Sequence, residues 1–360
     1  MSNNNPITGL FGSSESSTSY SEFKEEFNEI CNGIGAEWFP SVLPAVRRII
    51  VIGDIHGDWN MTLDTLKLAK VINKKNKWIG GDTVVVQLGD QIDRCRGHGS
   101  SCKKPETTVS DENSDVKILE FFTELHNQAI KKGGAVYSLL GNHELMNVNG
   151  DLRYVSYKGL VEFDKDRVLE NGYENRKKAF EKGGKYAKFL GCSRKGVLII
   201  GSNLFVHGGI VPKLAEEYKG KRGVEDINKI ISRYLWNKLA DKDNFSSITG
   251  TLDYSPFWNR LLGTLPSNLS MEDHYCQNNI QPVLDIYNVH RIVVGHTPQF
   301  MDDQGINSTC NGKVWRADVG LSKAFDKTDQ QIRMGSTRDD NRNIQVLEIL
   351  DDGKKINILK

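Results

Sequence analysis

Residues 48–58 read RIIVIGDIHGD: an apolar run, Ile49 to Ile52, stops at Gly53, and Asp54, His56 and Asp58 follow at once. A short run of β-branched and apolar residues bounded by glycine is the mark of a strand buried on both faces. The same grammar recurs at 83–94 (TVVVQLGDQIDR), 135–144 (AVYSLLGNHE), 197–209 (VLIIGSNLFVHGG) and 291–299 (RIVVGHTPQ). Helical spacing of apolar residues fills stretches between them, over 115–130 and 224–239. Strands alternating with helices indicate an α/β fold. In each repeat the acids, amides and imidazoles come directly after the apolar run ends. Open α/β sheets place their ligands at the carboxyl ends of strands. Five such ends are therefore expected to deliver their polar residues into one crevice.

Composition narrows the partners. The chain has 360 residues, 47 basic against 46 acidic, and a formal charge of +1. That balance provides no field for nucleic acid or an anionic membrane, so neither is expected as a partner. No stretch approaches the roughly 18 apolar residues of a membrane span. The first residues, MSNNNPITGLFGSSESSTSYSEFKEEF, lack the charged start and apolar run of a secretory signal, and no Arg precedes Arg47. A soluble, intracellular, cytoplasmic protein is the expectation. Cys31, Cys95, Cys102, Cys192, Cys276 and Cys310 are sparse and show no CxxC pair. Free thiols are expected, with Cys95 and Cys102, in one polar loop, as the pair an oxidising compartment would bridge.

Two units are expected along the chain. Residues 1–46 form an N-terminal extension, Ser/Asn/Gly-rich and disordered over about the first twenty, then helical over 20–34 with a face for docking. Residues 47–360 form the domain that carries the crevice, interrupted near 96–113 and 149–190. The second interruption follows a strand end, so it either roofs the crevice or is a plain surface insertion. Its basic stretch 176–182 reads as a solvated helix face.

The residue types at the strand ends are carboxylates, imidazoles and one amide, without a thiolate. Such donors suit Mn, Fe or Zn rather than Cu(I) or an iron–sulfur cluster. The Asp-x-His spacing lets Asp54 and His56 reach one ion, and a carboxylate such as Asp90 can bridge two ions about 3.5–4 Å apart. Asn142, His207 and His296 would complete the second.

GDIHG (53–57), GDQIDR (89–94), GNHE (141–144), HGG (207–209) and GHT (295–297) stand in the order of the phosphoprotein phosphatase branch of the calcineurin-like metallophosphoesterases. GNHELMNVNGDLRYV (141–155), SPFWNR (255–260), VVGHTPQ (293–299), VWRADVGLSKAF (314–325) and VLEIL (346–350) resemble the Shewanella-like protein phosphatases. The resemblance implies two mixed β-sheets packed as a sandwich flanked by helices. It implies one metal ion on Asp54, His56 and bridging Asp90, and a second on Asp90, Asn142, His207 and His296. His143 matches the catalytic histidine, oriented by Asp93; Arg94 matches a phosphate-gripping arginine, and Arg260 stands for the second. Where the family writes Gly after the Asp-Arg pair, this chain has Cys95.

The implied activity is hydrolysis of phosphomonoesters on phosphorylated proteins or peptides, by direct attack of a hydroxide bridging two cations. Planar guanidinium groups suit the phosphate, and a histidine beside a carboxylate suits protonation of the leaving oxygen. Serine/threonine or tyrosine esters remain open at this stage. Dinucleoside polyphosphate hydrolysis is the alternative, since such hydrolases share the motif order. A phosphate-binding pseudophosphatase is the lesser one.

Overall fold

The computed structural model describes residues 14–239, 246–250, 254–333 and 342–360. Disorder expected at the start of the chain lies outside these residues up to position 13; from Ser14 the chain is helical, to Cys31. Among the described residues twelve strands follow in chain order: β1 (Val42–Leu43), β2 (Arg48–Ile52), β3 (Val84–Gln87), β4 (Ala135–Leu139), β5 (Arg194–Lys195), β6 (Val197–Ile200), β7 (Asn203–Val206), β8 (Arg291–Val294), β9 (Asn307–Thr309), β10 (Val314–Arg316), β11 (Val346–Leu350) and β12 (Lys355–Leu359). They form two six-stranded sheets, ordered β1-β6-β7-β8-β10-β9 and β12-β11-β2-β3-β4-β5. Both sheets are mixed, as the resemblance implied.

Alternation along the strands builds the layers. Ile49, Val51, Val84 and Val86 point between the sheets, where they meet Leu198, Ile200, Phe205 and Val293 of the facing sheet. Their neighbours Ile50, Ile52 and Val85 turn outward onto Leu66, Ile118, Phe122 and Leu125 of helices Trp59–Leu68 and Asp115–Ala129. On the far side, Ile199, Leu204, Ile292 and Val294 pack with Leu190, Val224, Ile227 and Val283 from helices Lys185–Ser193, Gly220–Leu235 and Gln281–Tyr287. A strand covered by helix on one face and sheet on the other has no polar face to offer, which is why these segments read as unbroken apolar runs.

The pairs β2–β3 and β3–β4 are parallel, so their carboxyl ends lie together. The run 197–209 folds differently from a single strand. β6 and β7 pair antiparallel across a turn at Gly201, where φ is +59°. The second arm, ending at Val206, then runs parallel to β8.

Two expectations fail here. The cysteines are paired as Cys31–Cys192, Cys95–Cys102 and Cys276–Cys310, and no free cysteine remains. Sparse cysteines far apart in sequence give no spacing signal, because the fold alone brings Cys31 to Cys192. The stretch 176–182 is not a fully solvated face either. Arg176 is completely buried, its charge met by Asp115 at 2.9 Å and its guanidinium stacked near Phe163 and Phe180. Phe23 and Phe27 of the N-terminal helix pack on Trp236, beside the Cys31–Cys192 bridge. Among the described residues no helix is long and apolar enough to cross a membrane.

Candidate active site at the strand ends

Each parallel strand stops in a tight turn, and the turns set the donors. After β3, Gly89 has φ +95°, and a Cβ there would collide with the backbone of Leu140 and Gly141. After β4, a Cβ at Gly141 would collide with Asp90. After β8, a Cβ at Gly295 would run into Asp54 Oδ1 at 2.5 Å. These glycines let three turns close on one another. His56, Asp90, Asp93 and His296 all have positive φ, between 46° and 73°. Non-glycine residues in that region each cost on the order of 1–3 kcal/mol and concentrate at functional sites.

The turns are tied by hydrogen bonds. His296 N–H donates to Asp54 at 3.1 Å and His143 N–H to Asp90 Oδ1 at 3.0 Å. Glu144 accepts from the backbone N–H groups of Asp90, Gln91 and Gly141 at 2.7–3.0 Å. It thereby caps helix Asn142–Val148, which carries Asn142 and His143.

The side chains converge. His56 Nε2 lies 3.9 Å from Asp54 Oδ2 and 3.8 Å from Asp90 Oδ2. His207 Nε2 lies 3.4 Å from Asp90 Oδ1 and 3.0 Å from Asn142 Oδ1. The rings of His207 and His296 are 4.8 Å apart. Two sets of donor atoms lie within 4.8 Å of one another, His56–Asp90–His143 and Asp90–His207–His296. Asp90 belongs to both, as a bridging carboxylate must.

These residues suit a pair of metal ions on two further counts. His296 Nε2 is buried without a hydrogen-bond partner, a state that is costly unless something binds it. His207 Nδ1 sits 2.8 Å from the Leu88 carbonyl, which holds a proton on that nitrogen and turns Nε2 toward Asp90 and Asn142. The electrostatics divide the cluster: for His207 burial lowers the value, but Asp90 outweighs it and raises the ring above the ordinary histidine range. Burial holds His56 and His296 well below the ordinary histidine range, reinforced by Arg96 and His143 for the first and by His207 and Arg260 for the second. Neutral imidazole is the form that ligates. Burial also drives Asp54 well above the carboxylate range, helped by the charges of Asp318 and Asp90. For Asp90 burial raises the value, but His207, His143 and His56 outweigh it and hold the carboxyl well below its usual range.

Asp93 Oδ2 lies 2.8 Å from His143 Nδ1 rather than pairing with its neighbour Arg94. Asn147 donates to both oxygens of Asp93, at 2.9 and 3.1 Å, and accepts from Arg176 Nε at 3.0 Å. Arg260, exposed at the rim, donates to the His296 carbonyl at 2.8 Å. Arg94 does not join the donors. It is buried, paired with Asp58 at 3.0 Å, and donates to the carbonyls of Gly57 and Ser110. Cys95 does not have positive φ; Asp93 takes that conformation, at 73°, and Cys95 N–H donates to the Tyr154 carbonyl. The absent glycine therefore carries no strain.

Sequence reasoning missed several residues. Arg96 Nη2 lies 3.0–3.1 Å from the ring nitrogens of His56. Asp318, in the DVG segment, is buried and raised to about 6 by burial, with Asp90 adding to it, and its Oδ2 has no hydrogen-bond partner. Tyr154, from the segment after β4, packs 5.0 Å from the His143 ring. DVG already stood among the quoted motifs; nothing local marked Asn147 or Arg176, whose partners lie in other elements.

The calcineurin-like phosphoesterase family profile matches residues 47–300. Among relatives, a protein of Acanthamoeba polyphaga mimivirus, R398, is 39% identical over 249 residues, 64% of this chain and 95% of its own length. Shewanella-like protein phosphatase 2 of Arabidopsis thaliana is 29% identical, over 77% of this chain and 72% of its own. Shewanella-like protein phosphatase 1 of Plasmodium berghei is 30% identical, over 76% and 67%. The crystal structure of a cold-active protein-tyrosine phosphatase from a psychrophilic Shewanella shares the fold, with a TM-score of 0.63 and 21% identity over 99% of this chain and 89% of that one. The profile spans all five glycine-bounded strand ends, and the chain belongs to the calcineurin-like phosphoesterases, hydrolases of phosphoric esters.

Proposed function

We propose that this chain is a metal-dependent phosphoprotein phosphatase. The observation that supports the reading most directly is Asp90, shared between two donor sets, with the His143–Asp93 pair beside it. Asp54, His56 and Asp90 would hold one ion, and Asp90, Asn142, His207 and His296 the other. Bound there, two cations would lower the pKa of coordinated water and neutralise phosphate oxygens.

The chain's own residues do the remainder. Asp93 fixes the His143 ring through Nδ1, which aims Nε2 at the crevice with Asp90 Oδ2 3.9 Å away. A proton held on Nε2 serves the departing alcohol or phenol oxygen as general acid. Arg260 adds positive charge at the rim. Relatives named as protein phosphatases support a phosphorylated side chain as substrate.

The test is a set of parallel rates on phosphotyrosine peptide, phosphothreonine peptide and diadenosine tetraphosphate, before and after chelation and again after Mn²⁺ re-addition. Turnover of at least one peptide, abolished by chelation and restored by metal, is expected. Turnover of the dinucleotide alone would replace the reading, and phosphate binding without turnover would favour a pseudophosphatase. Full activity in metal-free protein would remove it altogether.

A further inference from the structure

Arg94 occupies the phosphate-gripping position in sequence, yet its guanidinium is committed elsewhere. Asp58, completely buried, neutralises it at 3.0 Å, and two backbone carbonyls take further N–H groups. Drawing Arg94 to a phosphate would take away the only cation paired with that carboxylate among the described residues, leaving it the backbone N–H groups of Met61 and Lys323; removing one partner of a buried pair is costly.

Two residues on, Arg96 has the opposite disposition. Its Nη2 lies against His56, at the edge of the donor cluster, and its Nη1 donates to the carbonyls of Asp93 and Cys95 at 3.0 and 2.9 Å. Its guanidinium lies over the rings of Phe325 and Tyr154, 4.7 and 5.2 Å from their centroids. No carboxylate among the described residues forms an ion pair with it. The loop that bears it is pinned at its base by the Cys95–Cys102 bridge and by the Cys95 N–H bond to Tyr154. A guanidinium with a free charge, held in place between two aromatic faces beside the metal donors, matches a dianionic phosphoryl group.

We infer that Arg96, rather than Arg94, grips the substrate's phosphoryl oxygens, with Arg260, bonded to the His296 carbonyl, as the second arginine. The inference rests on the phosphatase reading, but its central measurement does not require turnover. Mn²⁺-loaded wild-type protein, Arg96→Ala, Arg96→Lys and Arg94→Lys are titrated with inorganic phosphate by calorimetry, with metal content measured on each. Arg96→Ala is expected to weaken phosphate binding by about tenfold or more, the scale of a lost charge-assisted hydrogen bond, at unchanged metal content. Arg96→Lys should recover part of the loss, and Arg94→Lys should weaken binding less than Arg96→Lys does. Where Arg96→Ala does not fold, Arg96→Gln replaces it.

Phosphate affinity within about twofold of wild type in the Arg96 variants, on the same factor-to-free-energy scale, overturns the assignment. A larger loss in Arg94→Lys than in Arg96→Lys overturns it too. Wild-type protein that binds phosphate through Arg96 but cleaves no phosphomonoester would contradict the phosphatase reading and leave this assignment standing.

Discussion

Asp90 and His143 are joined by a hydrogen bond, yet they divide the work of the site. Asp90 Oδ1 accepts from the His143 backbone, while its carboxylate faces both donor sets. Asp90→Asn should therefore lose most bound metal and with it most turnover. His143→Asn should keep its metal and lose rate by about 10²–10⁴, the range for a general acid. Elemental analysis and kcat on one phosphomonoester separate the two; equal metal loss in both would place His143 among the ligands instead. At this scale the donors were legible because each directly follows a glycine-bounded apolar run. Arg96 was not. Two arginines flank Cys95, and only the folded loop shows that Asp58 captures one while the other faces His56.

Among the elements, the N-terminal helix and the sandwich meet through Phe23, Phe27 and Trp236, closed by Cys31–Cys192 across 161 residues of sequence. Removing a bridge over a long loop costs roughly 2–5 kcal/mol. The double variant Cys31→Ser, Cys192→Ser is expected to melt lower by that much while kcat/KM stays unchanged, since neither sulfur touches the donor cluster. Denatured, unreduced wild-type protein should show no reactive thiol. The strands and the helix over 115–130 were readable from periodicity. The hairpin of β6 and β7 was legible too, since Gly201-Ser202 between two apolar runs is a two-residue turn signal, although the run 197–209 is read above as one strand.

For the whole molecule, one buried cation sets a pH dependence that periodicity could not reveal. Lys195, on β5, is lowered to about 8 by burial, with Glu225 opposing only in part, and lies near the rings of Phe39 and Trp38. The unfolded chain holds that proton to pH 10.5, the ordinary lysine value. Between pH 8 and 10.5 the unfolded state binds more protons, so this group's contribution to stability rises with pH; below pH 8 the full penalty stands. Lys195→Met should therefore be more stable than wild type at pH 7, by up to roughly 3 kcal/mol, and lose the advantage by pH 10.5. A constant difference in denaturant midpoint across that range would contradict the assignment.

The inserted segment after β4 has a consequence of its own. Arg176 comes from that segment, yet it holds Asn147 and balances Asp115 and Asp93 behind His143, the proposed general acid. Tyr154 in the same segment packs against the His143 ring. Whatever evolutionary change reshapes this wall for a new partner also disturbs the proton donor's foundation, so recognition and reactivity can drift only in step.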